Sequence, residues 1–235
     1  MIRIAHHPIY AHPLPEGHRF PMAKYELLPQ QLILEGTCSS DQFFAPSRIN
    51  DSHILRTHCA AYYQNLVTLN LSKKEARRIG FPLSKELIDR ECAIAQGTLD
   101  GCDFALENGI AFNIAGGTHH AFYDKAEAFC LLNDQAIGAD YLLHHQKVTK
   151  VLIVDLDVHQ GNGTAAIFQN NPNVFTFSMH GKGNYPFQKE KSDLDIPLAD
   201  NTSDAVYLET LHHELTHLLK TVQPDFVFYL SGVDV

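Results

Sequence analysis

Residues 151–159 read Val151-Leu152-Ile153-Val154-Asp155-Leu156-Asp157-Val158-His159. The apolar half predicts a buried strand, and the polar half follows where that strand ends. Because side chains alternate along an extended chain, Asp157 and His159 are expected to point to the same side. Carboxylate and imidazole without thiolate are ligands typical of zinc in an open catalytic site. The stretch therefore predicts a metal site at the end of a strand in an α/β fold.

A strand that merely ends in polar residues is the alternative, and two further stretches weigh against it. Residues 110–114 form an apolar run that is followed by a glycine pair and by His119 and His120. Residues 226–230 form another, which is followed by a glycine and by Asp234. Ligands of open α/β sheets collect outside the carboxyl ends of the strands. The three stretches therefore predict one site at one edge of a sheet.

The chain resembles the histone deacetylase family over nearly its whole length, in segments that follow the family's order. These segments are residues 12–22, 116–120, 129–134, 154–163, 178–180 with 185–186, and 231–234. The segment His159-Gln160-Gly161-Asn162-Gly163 is most similar to that of class IV deacetylases and their bacterial relatives. The resemblance implies the arginase/deacetylase fold, which is a three-layer α/β/α arrangement around a central, mainly parallel sheet.

The resemblance also implies a role for each matching residue. The metal ligands would be Asp157, His159 and Asp234. The residues that handle protons, together with their partners, would be His119 and His120, with Asp155 orienting His119 and Asn162 behind His120. The substrate-binding residues would be Gly117, Phe129 and Tyr185, and a structural K⁺ or Na⁺ would lie at Asp155 and Ser178.

These positions imply hydrolysis of an N-acyl-lysine by a water molecule that the metal activates. His120 would remove the proton from that water and return it to the departing amine. Asn162 stands where class I enzymes commonly have Asp, and a neutral amide should leave His120 the better neutral base. Zinc is the expected metal, with iron(II) as the alternative. Two other functions stay open: hydrolysis of an acetylpolyamine or another small N-acyl amine, and an inactive metal-binding module that recognises acylated ligands.

Two further motifs match the sequence patterns of other enzyme classes, but their surroundings argue against those functions. His213-Glu214-Leu215-Thr216-His217 has the H-E-x-x-H pattern of zinc proteases, yet the apolar stripe of its helix should turn both histidines to solvent. Residues 161–166 fit a dinucleotide-binding fingerprint, but Asp155 and Asp157 would repel a pyrophosphate there. In arginase-like relatives a carboxylate two residues past the ligand histidine serves a second metal. Gly161 at that position favours a mononuclear site.

The amino-acid composition indicates the class of partner less specifically than the motifs do. With 18 Lys and Arg against 27 Asp and Glu, the formal charge is −9, which predicts no nucleic-acid partner. An acidic rim would attract basic peptides. Five cysteines without a C-x-x-C pair predict reduced thiols in a cytoplasmic protein. No apolar run predicts a membrane span, and nothing in the sequence indicates an oligomeric state.

The alternation of strands and helices predicts a parallel sheet with helices on both faces. The resemblance implies a single deacetylase-like catalytic domain over residues 1–235 that lacks its C-terminal part, where the family carries a catalytic Tyr. The expected strands cover residues 2–5, 110–114, 151–154, 174–177 and 226–230. The expected helices follow Pro21 and cover residues 51–65, 84–108, 126–145 and 203–222, with a polar loop over residues 36–51.

Overall fold

The computed structural model of the protein describes residues 2–232. The chain divides into two compact units, up to Asp140 and from Tyr141 onwards. The first unit contains, in order, β1 (Arg3–Ala5), α1 (Lys24–Leu34), β2 (Phe43–Phe44), α2 (Asp51–Thr57), α3 (Ala60–Val67), α4 (Lys73–Ile79), α5 (Lys85–Asn108) and β3 (Ala111–Asn113). After α6 (Asp134–His144), the second unit continues with β4 (Val151–Asp155), α7 (Asn162–Phe168), β5 (Val174–Gly181), β6 (Leu194–Leu198), α8 (Asp204–Val222) and β7 (Phe226–Leu230).

The first unit is built on a three-stranded parallel sheet with the strand order β2-β1-β3. The long helix α5 packs on β1 and β3. Ser84 caps its first turn and Gly109, at φ 91°, ends it. Gly97 lies at the closest approach, because a Cβ there would come within 2.7 Å of the Tyr10 hydroxyl and 3.0 Å of the Ala5 Cβ. This glycine, which costs helix propensity, allows close packing of the helix on the sheet.

The second unit is built on a four-stranded parallel sheet with the order β6-β5-β4-β7. All five side chains of β4 are buried, as expected of a central strand of a parallel sheet. The hydrophobic cluster beside it joins residues of β4, the loop after β4, β5 and α8; its buried members are Leu152, Val154, Leu156, Phe177, Met179 and Leu218. The predicted α/β class with a parallel sheet is therefore confirmed, whereas the single-domain extent remains a prediction.

The apolar and the histidine-bearing faces of the helix α8 lie as the sequence predicts. Leu211 and Leu215 pack against the hydrophobic cluster of the second unit, while His213 and His217 are exposed. The H-E-x-x-H pattern thus lies on the solvent face of the helix. Within residues 2–232, no helix combines the length and the apolar character that crossing a membrane requires.

Several element boundaries differ from the prediction. The helix expected over residues 51–65 is two helices, α2 and α3, and the helix expected from Ala126 begins only at Asp134. Residues 126–133 form a loop in which Ala128 and Phe129 have φ angles of 46° and 68°. The short elements β2, α4 and β6 were not expected; β6 contains Pro197, which an edge strand tolerates.

His58 lies fully buried in the first unit between two backbone groups. Its Nδ1 donates to the carbonyl of Phe122 at 2.8 Å, and its Nε2 accepts the N–H of Asn133 at 3.0 Å. Both contacts require the neutral ring, since a protonated Nε2 could not accept a hydrogen bond. Burial is the main reason that the pKa of His58 falls from 6.5 to about 4.

The pKa of His58 predicts a loss of stability in mild acid. Between pH 6.5 and 4 the unfolded chain binds a proton that the native His58 does not, so the free energy of unfolding should fall by about 3 kcal/mol over this range. We expect His58→Gln to reduce the slope, measured by urea unfolding at several pH values. Part of the slope should remain, because burial also lowers the pKa of His12 to about 4. His217→Gln, on the exposed face of α8, is the control; an unchanged slope in His58→Gln would contradict the assignment.

Candidate active site

The predicted metal ligands lie in the loop that follows β4. Asp155 ends β4, and its Oδ1 accepts the N–H of Asp157 at 3.1 Å. Asp157 Oδ1 in turn accepts the N–H of His159 at 2.8 Å. The expectation that strand alternation turns Asp157 and His159 to one side is wrong, because the strand ends before them. Two successive turns closed by aspartate side chains bring them together instead.

Asp157 and His159 present a donor pair of the kind that zinc binds. Oδ1 of Asp157 lies 2.9 Å from Nδ1 of His159. Two atoms that bind zinc at about 2.1 Å are roughly 3.4 Å apart in a tetrahedral site, so a shift of about 0.5 Å would let this pair share one ion. Gly232, just after β7, comes against the same carboxylate, because a Cβ there would overlap the Cα and Oδ2 of Asp157. The donor chemistry therefore fits a catalytic zinc.

The third predicted ligand, Asp234, lies outside the described residues 2–232. Within that range no three His, Cys, Asp or Glu side chains are grouped closely enough to hold a metal. The ligand set of three thus remains a prediction, of which the structure shows two neighbouring members.

The end of this loop is held by Gln160, a residue whose role the sequence did not reveal. Gln160 is 1% exposed, and its Nε2 donates to Asp195 Oδ1 at 2.8 Å and to the carbonyl of Glu190 at 2.7 Å. Its Oε1 accepts the N–H of Glu190 at 2.9 Å. Asn162, predicted to support His120, follows as the buried first residue of α7. Its contact with His120 remains a prediction.

The next strand contributes the other predicted residues of the second unit. Ser178 of β5 is the register partner of Asp155, so the two residues predicted at the monovalent cation are neighbours. Ser178 Oγ lies 3.0 Å from Nδ1 of His180, whose pKa burial lowers. Tyr185, predicted to contact substrate, presents its ring edge to His159 at a centroid distance of 6.4 Å. An aromatic ring therefore lies beside the donor pair.

The predicted proton-handling residues follow β3 in the first unit. His119 and His120 are each 5% exposed, and their ring centroids are 4.0 Å apart. Two adjacent histidines on a surface loop would be solvated, whereas these are buried as a pair. They are therefore not solvated surface groups, and their role in proton transfer remains a prediction.

The loop that carries these histidines is fixed by Asp134, at the start of α6. The Asp134 carboxylate is buried and accepts the N–H groups of Gly117 and Thr118 at 3.0 and 2.8 Å and the hydroxyl of Thr98 at 2.6 Å. A Cβ on Gly116 would come within 2.8 Å of Asp134 Oδ2. Asp134 belongs to the segment that resembles the family, yet no local pattern indicates which backbone groups its carboxylate binds.

Phe129, predicted to line the substrate channel, lies in the loop before α6. Its backbone is left-handed, at φ 68°, and its ring is half-buried among aromatic side chains. The ring centroids of Phe81 and Phe20 lie 4.9 and 5.1 Å away, and the Arg19 guanidinium lies 5.1 Å over the ring. Such a strained backbone persists only where its surroundings hold it, and it is common at functional sites.

Comparison with known proteins places these features in one family. The histone deacetylase domain matches residues 18–235. The chain belongs to the histone deacetylase family. An uncharacterized protein of Picosynechococcus sp. is 44% identical over 98% of this chain and 77% of its own length. An uncharacterized protein of Synechocystis sp. is 33% identical over 78% of this chain and 64% of its own length.

More distant relatives and solved structures share sequence or fold with this chain over most of its length. The acetoin utilization protein AcuC of Staphylococcus aureus is 27% identical over 94% of this chain and 62% of its own length. The crystal structure of a histone deacetylase homolog from Aquifex aeolicus has a TM-score of 0.82 over 97% of this chain and 67% of that chain, at 21% identity. A complex of such a homolog with SAHA has a TM-score of 0.85. The chain therefore spans about two thirds of the length of most of these relatives.

The Asp134 network predicts a large stabilising contribution from one carboxylate. Asp134→Asn leaves a single acceptor oxygen for the donors of Gly117, Thr118 and Thr98, so we expect a loss of about 2–4 kcal/mol in the free energy of unfolding, measured with urea. Asp225→Asn is the matched control, because Asp225 also accepts three hydrogen bonds, from Thr149 and Lys150, but is exposed. Because solvent can replace those hydrogen bonds, the free energy of unfolding should fall less in Asp225→Asn than in Asp134→Asn. Equal losses in the two variants would contradict the role of Asp134.

Proposed function

We propose that this chain carries the machinery of a zinc-dependent deacylase that hydrolyses N-acyl-lysine. One observation carries the proposal: within the matched family domain, loops that follow parallel strands hold a buried histidine pair and an Asp–His donor pair. The occurrence of a SAHA complex with a protein of the same fold supports a ligand site in this fold. The acidic composition, with a formal charge of −9, favours a cationic peptide or amine as partner.

The proposed metal is Zn²⁺, with iron(II) as the alternative. Asp157 and His159 would hold it together with Asp234. When bound, the ion polarises the acyl carbonyl and lowers the pKa of a water molecule. Asp155 and Ser178 are proposed to hold a structural K⁺ or Na⁺, which requires oxygen donors of the kind both residues supply.

His120 is the proposed general base and acid. It takes a proton from the attacking water as the new C–O bond forms, and it returns the proton to nitrogen as the C–N bond breaks. Because the His119 and His120 rings are 4.0 Å apart and buried, two positive charges on them would repel strongly. In the proposed arrangement, Asp155 orients His119 and the neutral Asn162 holds His120, which favours His120 as the ring that stays neutral and can accept the proton of the water.

The proposed channel for the lysine methylenes has Phe129 and Tyr185 as aromatic walls, with Gly117 as a further contact. Aromatic rings bury methylene groups at about 0.8 kcal/mol each without requiring polar partners. Such walls bind the stem of the substrate and leave the reacting amide to the histidines. They would therefore contribute to substrate affinity more than to the rate of the chemical step.

The base role predicts that His120→Ala loses turnover but keeps its metal. In the natural full-length protein loaded with zinc, kcat on an Nε-acetyl-lysine peptide should fall by about 10²–10⁴-fold. Metal content, measured by atomic emission, should stay near one equivalent. His217→Ala, on the exposed face of α8, is the control. A panel of longer acyl-lysines and acetylpolyamines then ranks the substrates, and retained turnover in His120→Ala would refute the base role.

The ligand role predicts the opposite pattern for Asp157→Asn. The amide oxygen can still accept the N–H of His159, so the turn is retained while the anionic ligand is lost. We expect metal affinity to fall by at least about tenfold, measured by competition with a chelator. Asp225→Asn serves as the control for removal of an aspartate charge. Unchanged metal affinity in Asp157→Asn would contradict the proposed site.

A further inference from the structure

The end of α4 and the Phe129 loop are joined by two backbone hydrogen bonds. α4 ends at Gly80, whose φ of 82° is the left-handed conformation typical of a helix C-terminus. The carbonyls of Arg78 and Ile79, in the last turn, accept the N–H groups of Ala128 and Phe129 at 2.9 and 2.6 Å. The orphan carbonyls of a helix end thereby hold a loop whose own residues are strained.

The ring of Phe129 rests directly on Gly80. A Cβ at Gly80 would lie 2.6 Å from Cε1, 3.0 Å from Cδ1 and 3.3 Å from Cζ of that ring. Ordinary carbon contacts are roughly 3.5–4.0 Å, so any larger residue would have to move the ring by about 1 Å. The ring centroids of Phe20 and Phe81 lie 5.1 and 4.9 Å from that of Phe129, and the Arg19 guanidinium lies 5.1 Å over the ring. Because these neighbours restrict the ring, a new Cβ at Gly80 should displace it towards its exposed part.

We propose that Gly80 is a specificity-determining residue that sets the width of the substrate channel at the stem of the acylated amine. This inference rests on the proposed function, in which Phe129 lines that channel. The absent side chain lets the ring sit back against the end of α4. Gly80 thus acts through Phe129 and contacts no reacting atom, so it affects which stems fit and leaves the chemical step unchanged.

Gly109 provides a matched control for the backbone cost of the test. Both glycines end helices with positive φ, 82° at Gly80 and 91° at Gly109, so alanine is strained at both. A Cβ at Gly109 meets nothing within 4 Å, whereas at Gly80 it meets the Phe129 ring. A difference between Gly80→Ala and Gly109→Ala therefore reports displacement of the ring and not backbone strain.

The experiment compares two substrates of different stem width in the zinc-loaded full-length protein. One peptide carries Nε-acetyl-lysine, and its matched partner carries the acetylamino group on a thicker 4-(aminomethyl)phenylalanine stem. For Gly80→Ala we expect the ratio of kcat/KM, thick stem over lysine, to fall by about tenfold, with KM raised and kcat for acetyl-lysine within about twofold of wild type. Gly109→Ala should keep the wild-type ratio. Equal ratios in the two variants would overturn the inference.

A second variant covers the outcome in which Gly80→Ala does not fold. Adding Phe129→Leu removes the ring atoms that the new Cβ would meet, so the double variant should fold and should accept the thicker stem at least as well as wild type. Failure of the double variant to recover either property would overturn the role of Gly80. Wild-type protein that hydrolyses neither peptide would overturn the proposed function and this inference with it, whereas an active wild type with unchanged selectivity in Gly80→Ala would overturn this inference alone.

Discussion

Aspartate carboxylates that accept backbone N–H groups hold both of the loops on which the proposed chemistry depends. In the second unit, Asp155 and Asp157 close the successive turns that bring Asp157 and His159 together. In the first unit, Asp134 binds the N–H groups of Gly117 and Thr118, just before the paired histidines. A loop at the end of a parallel strand leaves backbone donors unsatisfied, and a charged acceptor satisfies several of them at once. The same residue type that suits a metal ligand therefore also shapes the loop that presents it.

The parts of the fold that the sequence predicted are those whose pattern is local. β4 is a continuous apolar run, as expected of a central strand. The apolar stripe of α8 correctly predicted that His213 and His217 face solvent. The loop over residues 126–133 could not be predicted, because its positive φ angles are held by the end of α4, about fifty residues earlier. The edge strand β6 was missed because Pro197 usually marks a turn. Local propensity thus gives way where distant backbone groups decide the conformation.

The same distinction applies to the candidate site. Ligand and proton-transfer candidates could be recognised because Asp, His and Gly follow apolar runs in the sequence. The residues that position them could not: Gln160 binds Glu190 and Asp195, which lie 30 or more residues away in the sequence. Gly80 is an extreme case, because a glycine at the end of a helix has a sufficient local explanation in its positive φ. Its second role becomes visible only when the ring that it accommodates is placed beside it.

One fully buried histidine of the first unit, His58, lies outside the proposed reaction. Neutral His58 accepts the N–H of Asn133, and the next residue, Asp134, fixes the loop of His119 and His120. Protonation of His58 in acid would break the hydrogen bond to Asn133 and leave a buried charge. It would therefore destabilise the segment around Asp134, which holds the loop of His119 and His120. A decline of activity in acid would then combine two effects, titration of the reacting groups and loss of their support. The part of the fall in the free energy of unfolding that depends on His58 reports the second effect, which distinguishes it from titration of the reacting groups.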